Sequence, residues 1–324
     1  MLIVQKFGGS SIADGDRLRR AAGICMRQRQ NGNEVVVVVS AMGDTTDLLA
    51  DRARVLGGKP SPREMDALIT TGEQQSAALL VMTMESLGIP ALSLAGWQAG
   101  IYTDCRYGDS DIRLIAPVRI REALSRGRVP VVTGFQGVCA AGDITSLGRG
   151  GSDTTAVALA AVLESDCCEI YTDVDGIYTA DPRLIPDAVK LDAIDYRDML
   201  ALAEAGSQVL HAKSVELAMA NSVVIHLLSS FNDAPGSQVR ALRDGSRADF
   251  AGITRSRASG EISLAGKAAD AAALSRAVLL LAAEGIEVLS GSAGSGRISV
   301  LVEEAERPRA MQLLHREMIL DALK

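Results

Sequence analysis

The chain has 324 residues, enough for two domains, and its 48% hydrophobic and 23% charged residues are typical of a globular protein. A net charge of −7 excludes a nucleic-acid-binding protein that works by general phosphate neutralisation, but it is compatible with a local basic pocket for one small anion. The five cysteines show no CxxC spacing and there are only three histidines, which argues against a resident metal site.

Nothing in the hydrophobic pattern predicts a membrane partner. The longest apolar stretch, AVLLLAA at 277–283, is far shorter than the roughly 18 residues that span a bilayer. The apolar start MLIV is too short for the hydrophobic region of a signal peptide. Because the cysteine number is also odd, we expect a reducing compartment and a cytoplasmic protein.

Strand and helix patterns alternate along most of the chain. They predict, in order, a strand at 2–7, a helix at 14–30, a strand at 34–40, helices at 45–58 and 63–87, and a strand at 90–95. They continue with a helix at 112–127, a strand at 129–135, a helix at 152–165, a strand at 167–174, helices within 195–221 and a strand at 223–228. This alternation predicts an α/β fold with a mostly parallel sheet and helices on both faces.

The C-terminal part of the chain has a different pattern. Residues 231–247 are rich in serine, glycine, aspartate and proline, which predicts a linker. Residues 248–324 predict a small α+β module of short strands and two helices. We therefore expect a large N-terminal domain over 1–230, the linker over 231–247, and a C-terminal module over 248–324.

Ligands of such sheets bind at the carboxyl ends of the strands, so the strings that follow strands are the informative ones. KFGGSS (6–11) reads either as a tight turn or as a phosphate seat in which backbone N–H groups and the Lys6 ammonium meet one anion. VSAMGDTTD (39–47) is either a second anion site or an ordinary helix cap by Thr45 or Thr46.

The string SLGRGGSDTTAVALAA (146–161) places two glycines and a Ser-Asp pair ahead of an apolar helix. The helix N-terminus favours an anion, and the planar guanidinium of Arg149 can grip a carboxylate with two hydrogen bonds. The alternative is a capped helix with a surface arginine. In ITTGEQQSAALL (69–80), Glu73 would hold a substrate ammonium or be a solvated helix residue.

The string YTDVDGIYTADPR (171–183) is either a β-hairpin or part of a nucleotide pocket. Together with the other strings it fits phosphoryl transfer, which needs cationic and backbone donors and little covalent chemistry from the protein. A carboxylate acceptor has a pKa of about 4 and is already nucleophilic at pH 7, so no general base is required.

Seven motifs in this order resemble the amino acid kinase family, and within it the aspartate kinases (aspartokinases). The resemblance covers roughly residues 1–230. Its motifs are KFGGSS (6–11), VSAMGDTTD (39–47), TTGEQQS (70–76), GFQG (134–137), DITSLGRGGSDTTA (143–156), YTDVDGIYTADPR (171–183) and VLHAKSVE (209–216). It implies a three-layer αβα fold followed by an ACT-like α+β module.

The resemblance also implies roles for individual residues. Lys6 would stabilise the transferring phosphoryl group, and Asp153 would organise that lysine. The residues that would hold aspartate are Ser40, Thr45, Glu73, Arg149, Gly150 and Ser152. The residues that would hold ATP are Lys6, Gly8, Gly9, Ser10, Thr172, Asp173, Tyr178, Asp181, Arg183 and Gln208. ATP would bring Mg²⁺ with it.

The implied activity is ATP-dependent phosphorylation of the side-chain carboxylate of L-aspartate to 4-phospho-L-aspartate, the first step towards lysine, threonine and methionine. Two alternatives stay open: a kinase for another acidic amino acid, and a non-catalytic partner subunit of an active aspartate kinase. Gln208 stands where many aspartate kinases have a nucleotide-binding lysine, which removes one positive charge.

The resemblance in the tail is to a single ACT module, where aspartate kinases usually have two. Residues 285–302 resemble the second half of such a module. Because a lone ACT-like module leaves a sheet edge unpaired, we expect it to join two copies of the chain into a homodimer or higher homo-oligomer. The effector implied for such modules is a feedback amino acid, here lysine or threonine.

Overall fold

The structure is a computed structural model that describes residues 1–56 and 58–321. Within it the chain forms two compact units, each assembled from separate stretches. Unit 1 contains residues 1–175 and 220–235, and unit 2 contains residues 176–219 and 236–321. These units differ from the predicted domains, which are continuous in sequence and separated by a linker at 231–247. That division of the chain stays a prediction.

The β-strands alternate with helices in the first half of the chain and cluster near its end. They are β1 (Leu2–Phe7), β2 (Glu34–Val39), β3 (Ala91–Leu94), β4 (Ile101–Thr103), β5 (Ile112–Ile115), β6 (Val129–Thr133), β7 (Gln136–Cys139), β8 (Ile144–Ser146), β9 (Cys167–Thr172), β10 (Ile177–Tyr178), β11 (Lys190–Leu191), β12 (Ala193–Asp195), β13 (Ile225–Ser229), β14 (Ser237–Arg240), β15 (Gly252–Arg255), β16 (Ile262–Ala265), β17 (Val288–Gly294) and β18 (Arg297–Val302).

The α-helices connect these strands. They are α1 (Gly15–Gln30), α2 (Thr45–Val55), α3 (Pro62–Ile69), α4 (Thr71–Ser86), α5 (Val118–Ser125), α6 (Gly151–Leu163), α7 (Tyr196–Glu204), α8 (Ala212–Asn221), α9 (Ala271–Ala283) and α10 (Arg307–His315). None of the helices in the described residues combines the length and the apolar character needed to cross a membrane.

Unit 1 is built on a parallel sheet with the strand order β13-β9-β1-β2-β6-β3. Its centre reflects the sequence directly: the five valines of β2 are each at most 1% exposed, as expected for a strand covered on both faces. Helices α1 and α4 pack with Val35, Val37 and Val39 on one face. Helices α5 and α6 contact the same strands from the other side, and the predicted three-layer αβα architecture is thereby confirmed.

A smaller sheet in unit 1, with the order β5-β4-β7-β8, was not predicted. Asp66 of α3 anchors it, since its carboxylate accepts the N–H of Gly108 (2.9 Å) and both the N–H (2.9 Å) and the hydroxyl (2.6 Å) of Ser146. Cys105 and Cys139 form a disulfide in this sheet, with their Cα atoms 5.3 Å apart, which differs from the free thiols that a reducing compartment would favour.

Unit 2 contains an antiparallel sheet with the order β15-β16-β18-β17. Helices α9 and α10 pack with this sheet, and their apolar residues share one core with it. Unit 2 also contains the parallel pair β12-β14 and the antiparallel pair β10-β11. Strand β14 lies inside the stretch that we predicted as a linker.

Two of the predicted helices are wrong in their extent. The segment 63–87 forms two helices, α3 and α4, because the chain is interrupted at Thr70. The segment 112–127 begins as strand β5, and α5 starts only at Val118. Pro117 explains this start, because a proline disfavours helical conformation in the residue before it.

Asp66→Ala should lower the free energy of unfolding by about 2–4 kcal/mol, because it leaves the two buried donors of Ser146 and the part-buried N–H of Gly108 without their acceptor. Asp66 is 1% exposed, so water cannot replace the lost carboxylate. Chemical denaturation followed by circular dichroism measures the effect. The control is Asp16→Ala, which removes an exposed ion pair with Arg19 and should change stability by less than about 0.5 kcal/mol. Equal effects of the two substitutions would contradict the anchoring role of Asp66.

Candidate active site

The strand ends of the parallel sheet place the predicted loops side by side. Phe7 at the end of β1 pairs with Val39 of β2 and with Tyr171 of β9. The loops after β1 and β2 therefore run together, and the Gly43 N–H donates to the Gly9 carbonyl at 3.1 Å. A Cβ on Gly9 would lie 2.6 Å from the Ala41 carbonyl oxygen, so only glycine fits there.

Lys6 and Asp153 form a buried ion pair. Alternation along β1 turns Lys6 towards α6, where Asp153 lies in the first turn, and Nζ is 2.6 Å from Oδ1. The two side chains are only 11% and 10% exposed. An ammonium has three N–H donors, so Lys6 retains donors for a ligand while Asp153 fixes its direction.

The predicted phosphate cradle has fewer free backbone N–H donors than we expected. Gly9 and Ser10 begin the short 3₁₀ helix Gly9–Ile12, and among the described residues their N–H groups have no acceptor. The N–H of Gly8, by contrast, donates to the Tyr171 carbonyl at 3.1 Å and is not free to bind a phosphate. Arg17 supports the loop, since its guanidinium donates to the Ser10 carbonyl at 2.6 Å.

Glu73 of α4 is 3% exposed, so its interpretation as a solvated helix residue is wrong. Its Oε1 accepts the Ala41 N–H at 3.1 Å, while Oε2 is buried without a hydrogen-bond partner in the described part of the chain. Burial raises the pKa of this carboxyl to about 7, and the hydrogen bond from Ala41 acts in the opposite direction. A buried acid with one unused oxygen is suited to pair with a cation.

The loop before α6 reverses direction through two glycines, Gly148 with φ +72° and Gly150 with φ +74°. Arg149 lies between them with an exposed side chain that forms no ion pair with any described residue. No side chain caps α6 at Gly150, which weighs against the simple capped-helix alternative. A Cβ on Gly134 would lie 2.7 Å from the Ser152 hydroxyl, so the loop after β6 packs directly against this helix start.

Ser40 and Thr45 follow β2. The N–H of Ser40 donates to the Phe7 carbonyl at 3.1 Å, which keeps the ends of β1 and β2 aligned. Thr45 is the first residue of α2. Its hydroxyl donates to the Met42 carbonyl at 2.6 Å, so the side chain does not cap the helix.

Thr172 ends β9, and its hydroxyl donates to the carboxylate of the exposed Asp173 at 3.1 Å. Sequence reasoning missed the residue that holds this strand end, Ser230. Its N–H (2.9 Å) and its hydroxyl (3.0 Å) both donate to the Thr172 carbonyl. The signal was present, because Ser230 directly follows a strand of the parallel sheet, but a serine beside a predicted linker does not stand out.

The remaining predicted ATP residues belong to unit 2. Strand β10, which ends at the half-buried Tyr178, pairs with β11, so the alternative of a hairpin within 171–183 is wrong. Asp181 and Arg183 pair with each other, with 2.8 Å between Oδ2 and Nη2. Gln208 is exposed in the connection between α7 and α8. No group of three or more metal-ligating side chains occurs in the described residues.

Comparisons with known proteins agree on one family. The sequence model of the amino acid kinase family matches residues 1–229. An aspartokinase of Mycolicibacterium smegmatis is 53% identical over 240 residues, covering 74% of this chain and 57% of the relative. An aspartokinase of Corynebacterium efficiens is 44% identical over 325 residues, covering 97% of this chain and 77% of the relative.

The fold has a solved counterpart. The crystal structure of E. coli aspartokinase III in complex with aspartate and ADP superposes with a TM-score of 0.84 at 21% identity, covering 98% of this chain and 100% of that one. The chain spans 57% of the length of the Mycolicibacterium relative. On the extent of the family match and the identity to the Corynebacterium relative, the chain belongs to the amino acid kinase family, and within it to the aspartokinases.

Proposed function

We propose that this chain transfers the γ-phosphoryl group of ATP to the side-chain carboxylate of L-aspartate and forms 4-phospho-L-aspartate. The observation that carries the proposal is the buried Lys6–Asp153 ion pair at the carboxyl edge of the parallel sheet. In the transition state the transferring phosphoryl group carries negative charge on its oxygens. A fixed ammonium in a buried site stabilises that charge strongly.

In the proposed reaction, separate groups of residues bind the transferring phosphate and the acceptor. Lys6 and the N–H groups of Gly9 and Ser10 supply donors for the transferring phosphate. The acceptor carboxylate is already ionised at neutral pH, so the site has no need for a base. Asp153 is therefore occupied with holding the lysine, and we assign it no proton transfer.

Glu73 and Arg149 support an α-amino acid with a second carboxylate as the acceptor. The unused Oε2 of Glu73 is suited to the substrate ammonium, and the unpaired guanidinium of Arg149 to one substrate carboxylate. Gly150, Ser152, Ser40 and Thr45 complete the proposed aspartate site. The Corynebacterium relative, an aspartokinase that is 44% identical to this chain, supports aspartate over glutamate as the acceptor.

For the nucleotide we propose Thr172, Asp173, Tyr178, Asp181, Arg183 and Gln208, with Mg²⁺ arriving on the phosphates of ATP. Gln208 retains a hydrogen bond and lacks a charge, so we expect ATP to bind more weakly than to a site with lysine at this position. A cytoplasmic location, a place in lysine, threonine and methionine synthesis, and feedback by lysine or threonine stay predictions of the sequence.

We also propose that the C-terminal module joins two copies of the chain. Strand β17 is an edge strand whose residues from Leu289 to Gly294 are exposed and carry no charge, although edge strands are usually protected by charged side chains. Beside it, α9 presents Leu279 at 70% exposure. A second copy of the same strand and helix would cover both features by two-fold symmetry.

Lys6→Ala should lower kcat by about 10²- to 10³-fold and leave the KM for aspartate nearly unchanged, because the lost charge acts on the transferring group. Arg149→Ala should instead raise the KM for aspartate first. The assay traps the acyl phosphate as a hydroxamate, over a panel of acidic amino acids, with and without lysine or threonine.

Arg126→Ala, an exposed arginine at the end of α5, is the matched control for both variants. Because Lys6→Ala leaves Asp153 buried without its partner, thermal melting must show that the variant is folded. Turnover of glutamate without aspartate would assign another acidic substrate. A wild-type protein that turns over none of the acids would support the non-catalytic subunit.

The pH profile of kcat/KM for aspartate should rise as the pH increases through about 7, because only ionised Glu73 can pair with the substrate ammonium. Glu73→Gln should remove this inflection and lower the value of kcat/KM at high pH.

The raised pKa of Glu73 also affects stability. The free energy of unfolding should fall as the pH rises from about 4.5 to 7, because in this range the folded state holds a proton that the unfolded state has released, and it should stay lower above pH 7. Glu85→Gln, an exposed residue of the same helix, should preserve both profiles.

Light scattering in solution should give the wild-type chain the mass of a dimer or a larger assembly, and Leu279→Glu should shift it towards a single chain. The substituted carboxylate would have to lose its water in the proposed interface. Leu114→Glu, at 60% exposure in β5 of unit 1, is the control and should leave the mass unchanged. A wild-type chain that runs as a monomer at micromolar concentration would contradict the pairing.

A further inference from the structure

The segment that carries the proposed nucleotide residues is folded into unit 2 together with the C-terminal module. Ala180 and Ile185, at 4% and 3% exposure, lie in one apolar core with Ile253 of β15 and Met311 of α10. The stretch between Tyr178 and Arg183 therefore depends on residues that are more than sixty positions away in sequence for its shape. A polar contact lies at the centre of this arrangement.

Each polar group of Thr179 forms a hydrogen bond, and the partners are Val189, Ile253 and His315. Its N–H donates to the Val189 carbonyl at 2.9 Å, and its carbonyl accepts the N–H of Ile253 at 2.7 Å. Its hydroxyl oxygen accepts the N–H of Val189 at 2.9 Å and lies 2.8 Å from Nε2 of His315. The residue next to Tyr178 is thus held from β15 and from α10 at once.

His315 is the last residue of α10 and is 1% exposed. Burial lowers the pKa of its imidazole, while Asp187 acts in the opposite direction. A neutral imidazole carries one donor and one acceptor nitrogen, so it can bond the Thr179 hydroxyl without bringing a charge into the core. Neither residue belongs to the catalytic and substrate residues proposed above.

We propose that His315 is a positioning residue for the nucleotide: through Thr179 it sets the place of Tyr178 on one side and of Asp181 and Arg183 on the other. The C-terminal module then forms part of the scaffold of the ATP site. This inference rests on the proposed function, since that function assigns the nucleotide to these residues. It predicts a defect in nucleotide binding that spares aspartate.

The test uses the full chain and compares His315→Leu, which cannot bond Thr179, with His315→Gln, whose side-chain amide can. Calorimetry gives the affinity for ADP, and steady-state kinetics gives the KM for MgATP and for aspartate. His315→Leu should weaken ADP binding and raise the KM for MgATP by about three- to tenfold, the usual effect of one lost hydrogen bond. His315→Gln should restore most of the affinity, and the KM for aspartate should stay constant in both.

The matched control is Ser263→Ala, which removes the buried 2.7 Å hydrogen bond between the hydroxyls of Ser263 and Ser299 in the same module. It should lower the melting temperature without changing ADP affinity. If His315→Leu lowers only the melting temperature, or weakens both substrates equally, the positioning role is wrong. Should His315→Leu fail to fold, Thr179→Val against Thr179→Ser provides the same comparison of a lost and a retained hydroxyl.

Failure of the proposed function would be recognised separately. A wild-type chain that binds ADP but phosphorylates no aspartate would overturn the proposed function, and the ADP affinities of the variants would still decide the role of His315. A wild-type chain that binds no ADP would overturn both proposals.

Discussion

The candidate active site depends on the ion pair between Lys6 and Asp153. Both side chains are nearly buried, so each charge would be costly alone, and each is kept in place by the other. The fold supplies the conditions for this pairing: alternation along β1 turns Lys6 to one face of the sheet, and α6 begins where Asp153 can meet it. A protein with a net charge of −7 thereby keeps a directed positive charge at one sheet edge.

The other buried acid of the candidate site, Glu73, has no cationic partner among the described residues. Desolvation therefore shifts its pKa upwards, whereas Asp153 has a lysine at 2.6 Å. Two carboxylates close to the same strand ends are in this way prepared for different tasks. One is paired with a protein cation, and the other has an oxygen without a hydrogen-bond partner in the described residues, which we propose accepts the ammonium of the substrate.

The sequence predicted the parallel sheet well because its signals are local and strong. The valine run of β2 and the glycine strings after the strands indicate buried strands and anion loops without any knowledge of long-range contacts. The small sheet around Asp66 escaped prediction, since the apolar pattern of 112–115 merges with that of α5 across Pro117. The burial of Glu73 was also hidden, because an acidic residue in an Ala/Leu-rich helix reads the same whether it faces water or a neighbouring loop. The contact of Thr179 with His315 joins residues 136 positions apart, and none of the sequence motifs predicts it.

The division of the chain into interleaved units has a consequence for biosynthesis. Residues 176–219 leave the ribosome well before residues 236–321, yet the apolar core that contains Ala180 and Ile185 is formed mainly by residues of that later stretch. The nascent chain must therefore hold this segment unfinished until the tail has emerged, even though most of the parallel sheet is already synthesised. Folding of the segment 176–219 is thereby tied to the synthesis of residues 236–321.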